Sequence, residues 1–289
     1  MKTQEKAMNG PTLEDIIPTI IAEAMHTIRA NALFAPGGIG EKWLQVRSLE
    51  GAPGKTMDFP TYSQFTAYDV EEGADHDTPQ ALSTSKISLT ATEKIALTTI
   101  TDLALESARE DVAREAGREL GLAMAAKIDA DVMALFEDLD TTVGSTGVDC
   151  SYQNILDAIN ALSSVTAPSP YLCVLHPQQW YDLLTEASSP LTATTGYGRM
   201  AEEVGYNYFV AQLYGTQVVV HPSVPLVNTN ADRAGAVLSD RAFGFLWKWR
   251  PRLAYERVES LRAFEVVITA CYRTTQLDGR MGIAIKTDA

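Results

Sequence analysis

Gly51-Ala-Pro-Gly-Lys-Thr56 ends in the residue types with which a phosphate-binding loop holds a nucleotide. Such a loop needs a glycine five residues before Gly54, where this chain has Leu49, and a helix after the threonine, where it has Asp58-Phe-Pro60. Spacing and context therefore point to a turn entering a strand. The four histidines are His26, His76, His176 and His221, and none has another His or Cys at metal-ligand spacing. Asp75-His76-Asp77 offers donors to a cation but has no third anchor, so it reads as a solvated acidic loop. His176 and His221 each stand between an apolar run and a proline. Either has the chemistry of a general base, which makes a soluble hydrolase one reading, but no Gly-x-Ser-x-Gly elbow or activated cysteine accompanies them. Cys150, Cys173 and Cys271 are odd in number and form no C-x-x-C pair. No catalytic, cofactor-binding or metal site is expected.

Two charged stretches point instead to binding. Trp247-Lys-Trp-Arg-Pro-Arg252 interleaves cations with aromatics, making Lys248, Arg250 and Arg252 candidates to face nucleic acid. The same period of two is what a half-buried strand gives, with Phe245, Trp247 and Trp249 on one face, and sheet packing accounts for it. Asp69, Glu71, Glu72, Asp75 and Asp77 form an acidic run, and no Lys or Arg occurs from Thr56 to Ser85. These carboxylates are candidates for contact with a basic neighbouring subunit.

The elements that carry these residues follow from patterning. Apolar residues from Leu13 to Ile28 recur as one helical stripe, closed by the glycine break Pro36-Gly-Gly-Ile-Gly40 and too short to bury itself. Lys55 to Ser63 and Lys86 to Leu97 read as two strands of an extended hairpin with an acidic tip, Pro60 marking an edge. A long polar hairpin is marginal alone and requires an outside surface. Ser107-Ala-Arg-Glu110 has the form of a capping box. From it Val112, Ala116, Leu120, Met124, Ile128 and Val132 recur every fourth residue towards Phe136 and Leu139, predicting a spine helix about 48 Å long. Further on come a helix over Ser151 to Ser164, a strand over Tyr171 to Leu175, and a helix opened by His176-Pro177. Pro190 to Gly198 reads as a loop, and strands follow at Val218 to Val220 and Gly235 to Trp249. Asp278-Gly279 signals a hairpin between Val266 to Tyr272 and Met281 to Ile285. The irregular alternation of helix and strand places the chain in the α+β class.

The 289 residues are 46% hydrophobic and 21% charged, enough for a folded core of one or two domains and too apolar for a disordered chain. The formal net charge of -14 works against a protein whose main task is to grip DNA or anionic lipid. A polar start and the lack of a long apolar run indicate neither secretion nor a membrane partner.

In their order, several segments carry a resemblance. They are Gly54-Lys-Thr-Met-Asp-Phe-Pro60 leading to Glu71-Glu-Gly-Ala74, Ile100-Thr-Asp-Leu-Ala-Leu-Glu-Ser107, and Lys127-Ile-Asp-Ala-Asp-Val132. Val174-Leu-His-Pro-Gln-Gln-Trp-Tyr181 and Leu213-Tyr-Gly-Thr-Gln-Val-Val-Val-His-Pro-Ser-Val-Pro225 complete the set. Together they resemble the major capsid proteins of tailed bacteriophages, whose HK97-like fold encapsulin shells also use. The resemblance implies an N-terminal arm over 1–48, an extended loop over 49–100, a peripheral domain from 101–149 and 255–289, and an axial domain over 150–254. It implies hexamers and pentamers of this chain closing into an icosahedral shell around double-stranded DNA, assembled in the bacterial host cytoplasm and ending in the virion capsid. Further implied partners are a separate scaffold protein, a portal and a decoration protein. An encapsulin-like compartment is the alternative shell. Covalent cross-linking through the loop is not expected, since the loop has no Lys between Lys55 and Lys86.

Overall fold

The computed structural model describes residues 22–28, 32–35, 38–62, 65–73, 79–107, 112–188, 211–229 and 231–288. In chain order the first elements are α1 (residues 22–28), β1 (Leu44–Ser48), β2 (Thr56–Tyr62), β3 (Thr84–Thr90) and β4 (Thr92–Thr101). Next come α2 (Asp102–Ser107), α3 (Val112–Met133), β5 (Thr141–Val143), α4 (Tyr152–Ser164), β6 (Leu172–Leu175) and α5 (Pro177–Ser188). The chain ends with β7 (Ala211–Leu213), β8 (Thr216–Val220), β9 (Leu226–Val227), β10 (Asp232–Leu238), β11 (Phe243–Val258), β12 (Ala263–Gln276) and β13 (Gly282–Asp288).

Two mixed sheets and one hairpin result. A four-stranded sheet runs β1-β11-β12-β4, and a seven-stranded sheet runs β5-β13-β10-β6-β8-β7 with β9 paired to β10. On β12 the buried Val266, Ile268, Ala270 and Tyr272 alternate with less buried neighbours, which is what a strand with one covered face requires. The cover is α3, whose Leu120, Met124, Ile128 and Val132 are all buried. That is the every-fourth-residue stripe read from the sequence. The end of the helix differs from that reading: α3 stops at Met133 and tightens into a 3-10 turn over Ala134–Phe136 where helix was expected to Leu139, while the expected start reaches residues outside the described ones. Phe136 and Leu139 stay buried beyond that turn, with Phe136 stacked on Phe243 at 5.9 Å between ring centroids, so apolar period alone overran the helix. The expected capping box from Ser107 to Glu110 extends outside the described residues.

The leading helical stripe finds its surface on α3. Ala24 and Ile28 of α1 are buried, and α3 receives them at Gly121, where an added Cβ would lie 2.7 Å from the Ala24 carbonyl oxygen. Each such burial contributes about 1–3 kcal/mol. The first part of the stripe, before residue 22, lies outside the described residues, as does the expected Pro190 to Gly198 loop.

The hairpin forms as expected, with β2 and β3 antiparallel and Pro60 opposite Lys86. The second predicted strand, however, divides at Ala91. There the backbone N–H of Ala91 donates to the Lys55 carbonyl, and the chain leaves β2 to pair with β12 as β4. Phe59 and Leu89 root the hairpin in a small second core with Leu49, Leu246 and Cys271. Beyond the ladder, the Gln80 side-chain amide accepts from the Thr66 N–H at 2.9 Å and donates back to the Thr66 carbonyl, which prolongs the pairing without a strand.

Three other expectations change. Gly235 to Trp249 is not one strand: Ser239 to Ala242 turn the chain out of β10 in the seven-stranded sheet and into β11 in the four-stranded one. Asp278-Gly279 makes no hairpin. The Asp278 carboxylate instead accepts from the Arg280 N–H at the start of a 3-10 turn, which sends β13 to the other sheet. The strands therefore divide differently from the resemblance's segmentation, since β13 pairs with β10 and β5, while all of β11 pairs with β12.

Several carboxylates clamp this frame. Arg257 donates two parallel hydrogen bonds to Asp102, at 2.9 and 2.8 Å, and holds that carboxyl below its usual range. Asp232 is held low by donation from Asn228 and from the Gly147 N–H, and Asp278 by Arg280. A carboxylate with a lowered folded-state pKa adds stability above the unfolded value and loses it as pH falls through the folded one. The thermal midpoint of the subunit should therefore hold from neutral to about pH 5 and fall below about pH 4. Circular dichroism melts that stay level down to about pH 2 would show that these clamps contribute nothing.

Candidate functional site

The two histidines singled out by sequence share one local device. In His176-Pro177-Gln178 the imidazole Nδ1 accepts from the Gln178 N–H at 3.2 Å, and in His221-Pro222-Ser223 it accepts from the Ser223 N–H at 3.1 Å. Each ring thus satisfies a donor just past a proline, as an Asn or Asp side chain does in a turn. Burial, with Arg233 nearby, pushes His176 below its ordinary pKa, so its ring is neutral at pH 7.

His221 is also joined to Asp129 of α3, with Nε2 at 3.3 Å from Oδ2. Asp129 is 1% exposed and accepts two more hydrogen bonds, from the backbone N–H groups of Leu33 and Phe34 at 2.9 Å each. One carboxylate therefore ties together the leading segment, the spine helix and the turn after β8. A His–Asp pair is also the base and orienter of a hydrolytic triad. Here Nδ1 faces a backbone N–H and Nε2 faces the carboxylate, so no ring nitrogen is left to take a proton from a nucleophile. The cysteines offer none: burial holds all three thiols up, Cys150 to about 12. No cluster of metal-ligating side chains occurs among the described residues. An open cleft of about 680 Å³ beside the hairpin is lined by Phe59, Tyr62, Leu277 and the Asp278–Arg280 pair, without a nucleophile and base in register.

The surface features lie on the hairpin and its root. Asp69, Glu71 and Glu72 are exposed and take part in no ion pair among the described residues, while Asp75 and Asp77 lie outside them. Around the acids stand Tyr62, Phe65, Tyr68, Val70 and Leu82, each more than half exposed. Large apolar groups brought together on a projecting loop mark a contact surface.

At the root, β11 departs from the expected alternation. Trp247 opposes Tyr272, Trp249 opposes Cys271 and Arg252 opposes Thr269, so the strand carries an extra residue twice, and these are bulges. Phe245 and Trp247 keep to the inner face with Tyr272. Trp249 does not share that face. The first bulge turns it outward to the hairpin core, and the second brings Arg252 over its ring at 4.5 Å. Lys248 donates to the carbonyls of Leu49, at 3.2 Å, and Ala52, which anchors the turn that mimics a phosphate loop. Gly51 and Gly54 supply that turn's positive φ angles of 77° and 85°. Of the three cations proposed to face nucleic acid, Lys248 is thus half-buried in a structural role, while Arg250 and Arg252 remain exposed.

Sequence reasoning missed Asp129 and Gln179. Gln179 is fully buried on α5, accepting from the His176 N–H and donating to the Arg233 and Ile285 carbonyls and to Thr287. Asp129 left one signal, an acid in the row Gly121, Ala125, Asp129 and Met133, which runs every fourth residue along the apolar face of α3.

A family model for phage capsid proteins matches residues 86–288, more than two thirds of the chain. The chain belongs to the phage capsid protein family. No curated protein matches it by sequence. Among solved structures, this capsid protein is similar to the capsid of Ralstonia phage GP4, at 13% identity over 86% of this chain and 87% of that one, with a TM-score of 0.68. The capsid of cyanophage P-SCSP1u is similar at 14% identity over 86% and 87%, with a TM-score of 0.66. A virus-like particle from Pyrococcus furiosus shares the fold at 9% identity over 93% and 98%, with a TM-score of 0.60. The fold is the HK97-like capsid fold expected from the resemblance, and the protein is a structural component of phage capsids.

Proposed function

We propose that this capsid protein is the major shell subunit of a tailed phage, assembling as hexamers and pentamers into an icosahedral shell around double-stranded DNA. The observation that carries this reading is the hairpin, whose aromatic and acidic end has no core of its own and needs a neighbouring copy. The four-stranded sheet with α3 serves as the peripheral domain, and the seven-stranded sheet with α4 and α5 as the axial domain. Asp69, Glu71, Glu72, Asp75 and Asp77 contact the neighbour. Packaged DNA meets the shell through weak, non-specific contacts, as the net charge of -14 requires. A scaffold, a portal and a decoration protein are its partners, and assembly takes place in the host cytoplasm before the virion is complete.

Electron microscopy of the purified protein after size-exclusion chromatography tests this. Closed particles or capsomer rings are expected. A uniform monomer at high concentration, with a scaffold protein supplied, overturns the reading. Particles that co-purify with a cargo protein in place of DNA point to an encapsulin-like compartment instead.

A further inference from the structure

We infer that the open edge of β4 pairs with β4 of a second copy of this chain, antiparallel with Ala96 on the axis, and so joins two subunits across a two-fold. The inference rests on the shell reading above, because rings need a second kind of contact to close into a shell. A ring is built from heterologous contacts, in which one surface meets a different one, whereas a contact on a two-fold axis joins a surface to itself.

The sheet edges supply the first observation. A bare strand edge pairs with other chains unless it is short, bulged, or guarded by proline or charge. β5 and β7 have three residues each, and β1 has five. β2 carries Pro60, and the Arg47 guanidinium already donates to its Asp58 carbonyl. β3 has Lys86 near its centre. β4 lacks such guards along most of its length. It ends the order β1-β11-β12-β4, runs ten residues, and keeps register with β12 from Thr92 to Thr101 without a bulge or a proline. Its charges, Glu93 and Lys94, stand at one end, and Lys94 is 3.8 Å from Asp131. Among the described residues no strand lies beyond it.

The ladder decides which backbone groups are free. Just past the strand, the Asp102 N–H donates to the Arg262 carbonyl. Antiparallel bonding alternates, so the even-numbered residues from Thr92 to Ile100 bond to β12, and the N–H and C=O groups of the odd-numbered ones point to the open edge.

The side chains suit a partner identical to themselves. Val266 and Ile268, buried towards α3, stand opposite Thr98 and Ala96, so Ile95 and Leu97 occupy the other face, where they are 67% and 55% exposed. With Ala96 opposite Ala96, Ile95 meets Leu97 of the other copy twice, Glu93 meets Thr99 and Lys94 meets Thr98, and no like charges oppose each other. Sliding one copy by two residues leaves a single apolar pair, Ile95 with itself or Leu97 with itself. Sliding it by one sets the two exposed faces on opposite sides of the sheet.

Disulfide trapping in full-length particles tests the pairing. Ala96 would form a non-hydrogen-bonded pair with itself, about 4.5 Å between Cα atoms and within reach of a disulfide. Ala96→Cys oxidised with copper phenanthroline should turn most subunits into covalent dimers. An equal mixture of Ile95→Cys and Leu97→Cys subunits should yield dimers where neither variant alone does, and it decides the matter on exposed positions if Ala96→Cys does not fold. The native cysteines are buried, and wild-type particles oxidised in parallel give the background. Ile95→Lys with Leu97→Lys crowds ammonium groups at the axis and should raise the lowest particle-forming concentration about tenfold or more, read by light scattering, with circular dichroism unchanged. Cysteine variants whose particles give only background dimers overturn the pairing, as does a lysine variant that assembles at the wild-type concentration. Dimers from Ile95→Cys or Leu97→Cys alone, in the yield of the mixture, overturn the register about Ala96. Wild-type protein that forms no particles defeats the shell reading itself, a result distinct from these.

Discussion

Asp129→Ala should cost the subunit about 3–5 kcal/mol in stability, because two buried backbone N–H groups and an imidazole N–H lose their acceptor at once. An unsatisfied buried donor costs about 1–3 kcal/mol. Asp129→Asn retains one oxygen but turns an amide N–H towards a backbone N–H, so about half of that loss is expected. His221→Ala leaves the Leu33 and Phe34 N–H groups satisfied, removes the acceptor of the Ser223 N–H, and should cost about 1–2 kcal/mol. Urea unfolding of the isolated subunit at low concentration reads all three. A loss below about 1 kcal/mol for Asp129→Ala would show that the leading segment is held by Ala24 and Ile28 on α3 alone.

Removal of Tyr68 to Thr78 should abolish closed shells while sparing the fold. The deleted stretch lies beyond the β2–β3 ladder, and the core that roots the hairpin, with Phe59 and Leu89 against Leu246, is untouched. The unfolding midpoint should move by less than about 1 kcal/mol equivalent, whereas particle formation disappears, because a shell multiplies each lost contact over every interface. Closed shells of normal size from the shortened chain would show that the hairpin's end is dispensable.

The parts of this protein governed by short-range pattern were legible in its sequence. The every-fourth stripe from Leu120 to Val132, the two hairpin strands and the His-Pro helix start at Pro177 all depend on neighbours within a few residues. What was not legible depends on distant partners. Asp129 is recognisable only beside Leu33 and Phe34, nearly a hundred residues earlier, and Gln179 only between β10 and β13. The misread sequence at Asp278-Gly279 has the same cause, since a turn dipeptide reports that the chain bends but not which sheet receives the next strand. Trp249 was placed on the wrong face because a bulge breaks period two without leaving a mark in residue type. The family resemblance supplied the fold where pattern could not.

Three thiols, all buried and all held above their usual pKa, leave the particle's surface chemically silent towards sulfur reagents. A single cysteine introduced at an exposed position away from the hairpin, such as Glu119, would then be the one group a maleimide dye or a gold cluster could find, once on every subunit. The native chain is thus already a blank scaffold for site-specific display, with no background cysteine to remove.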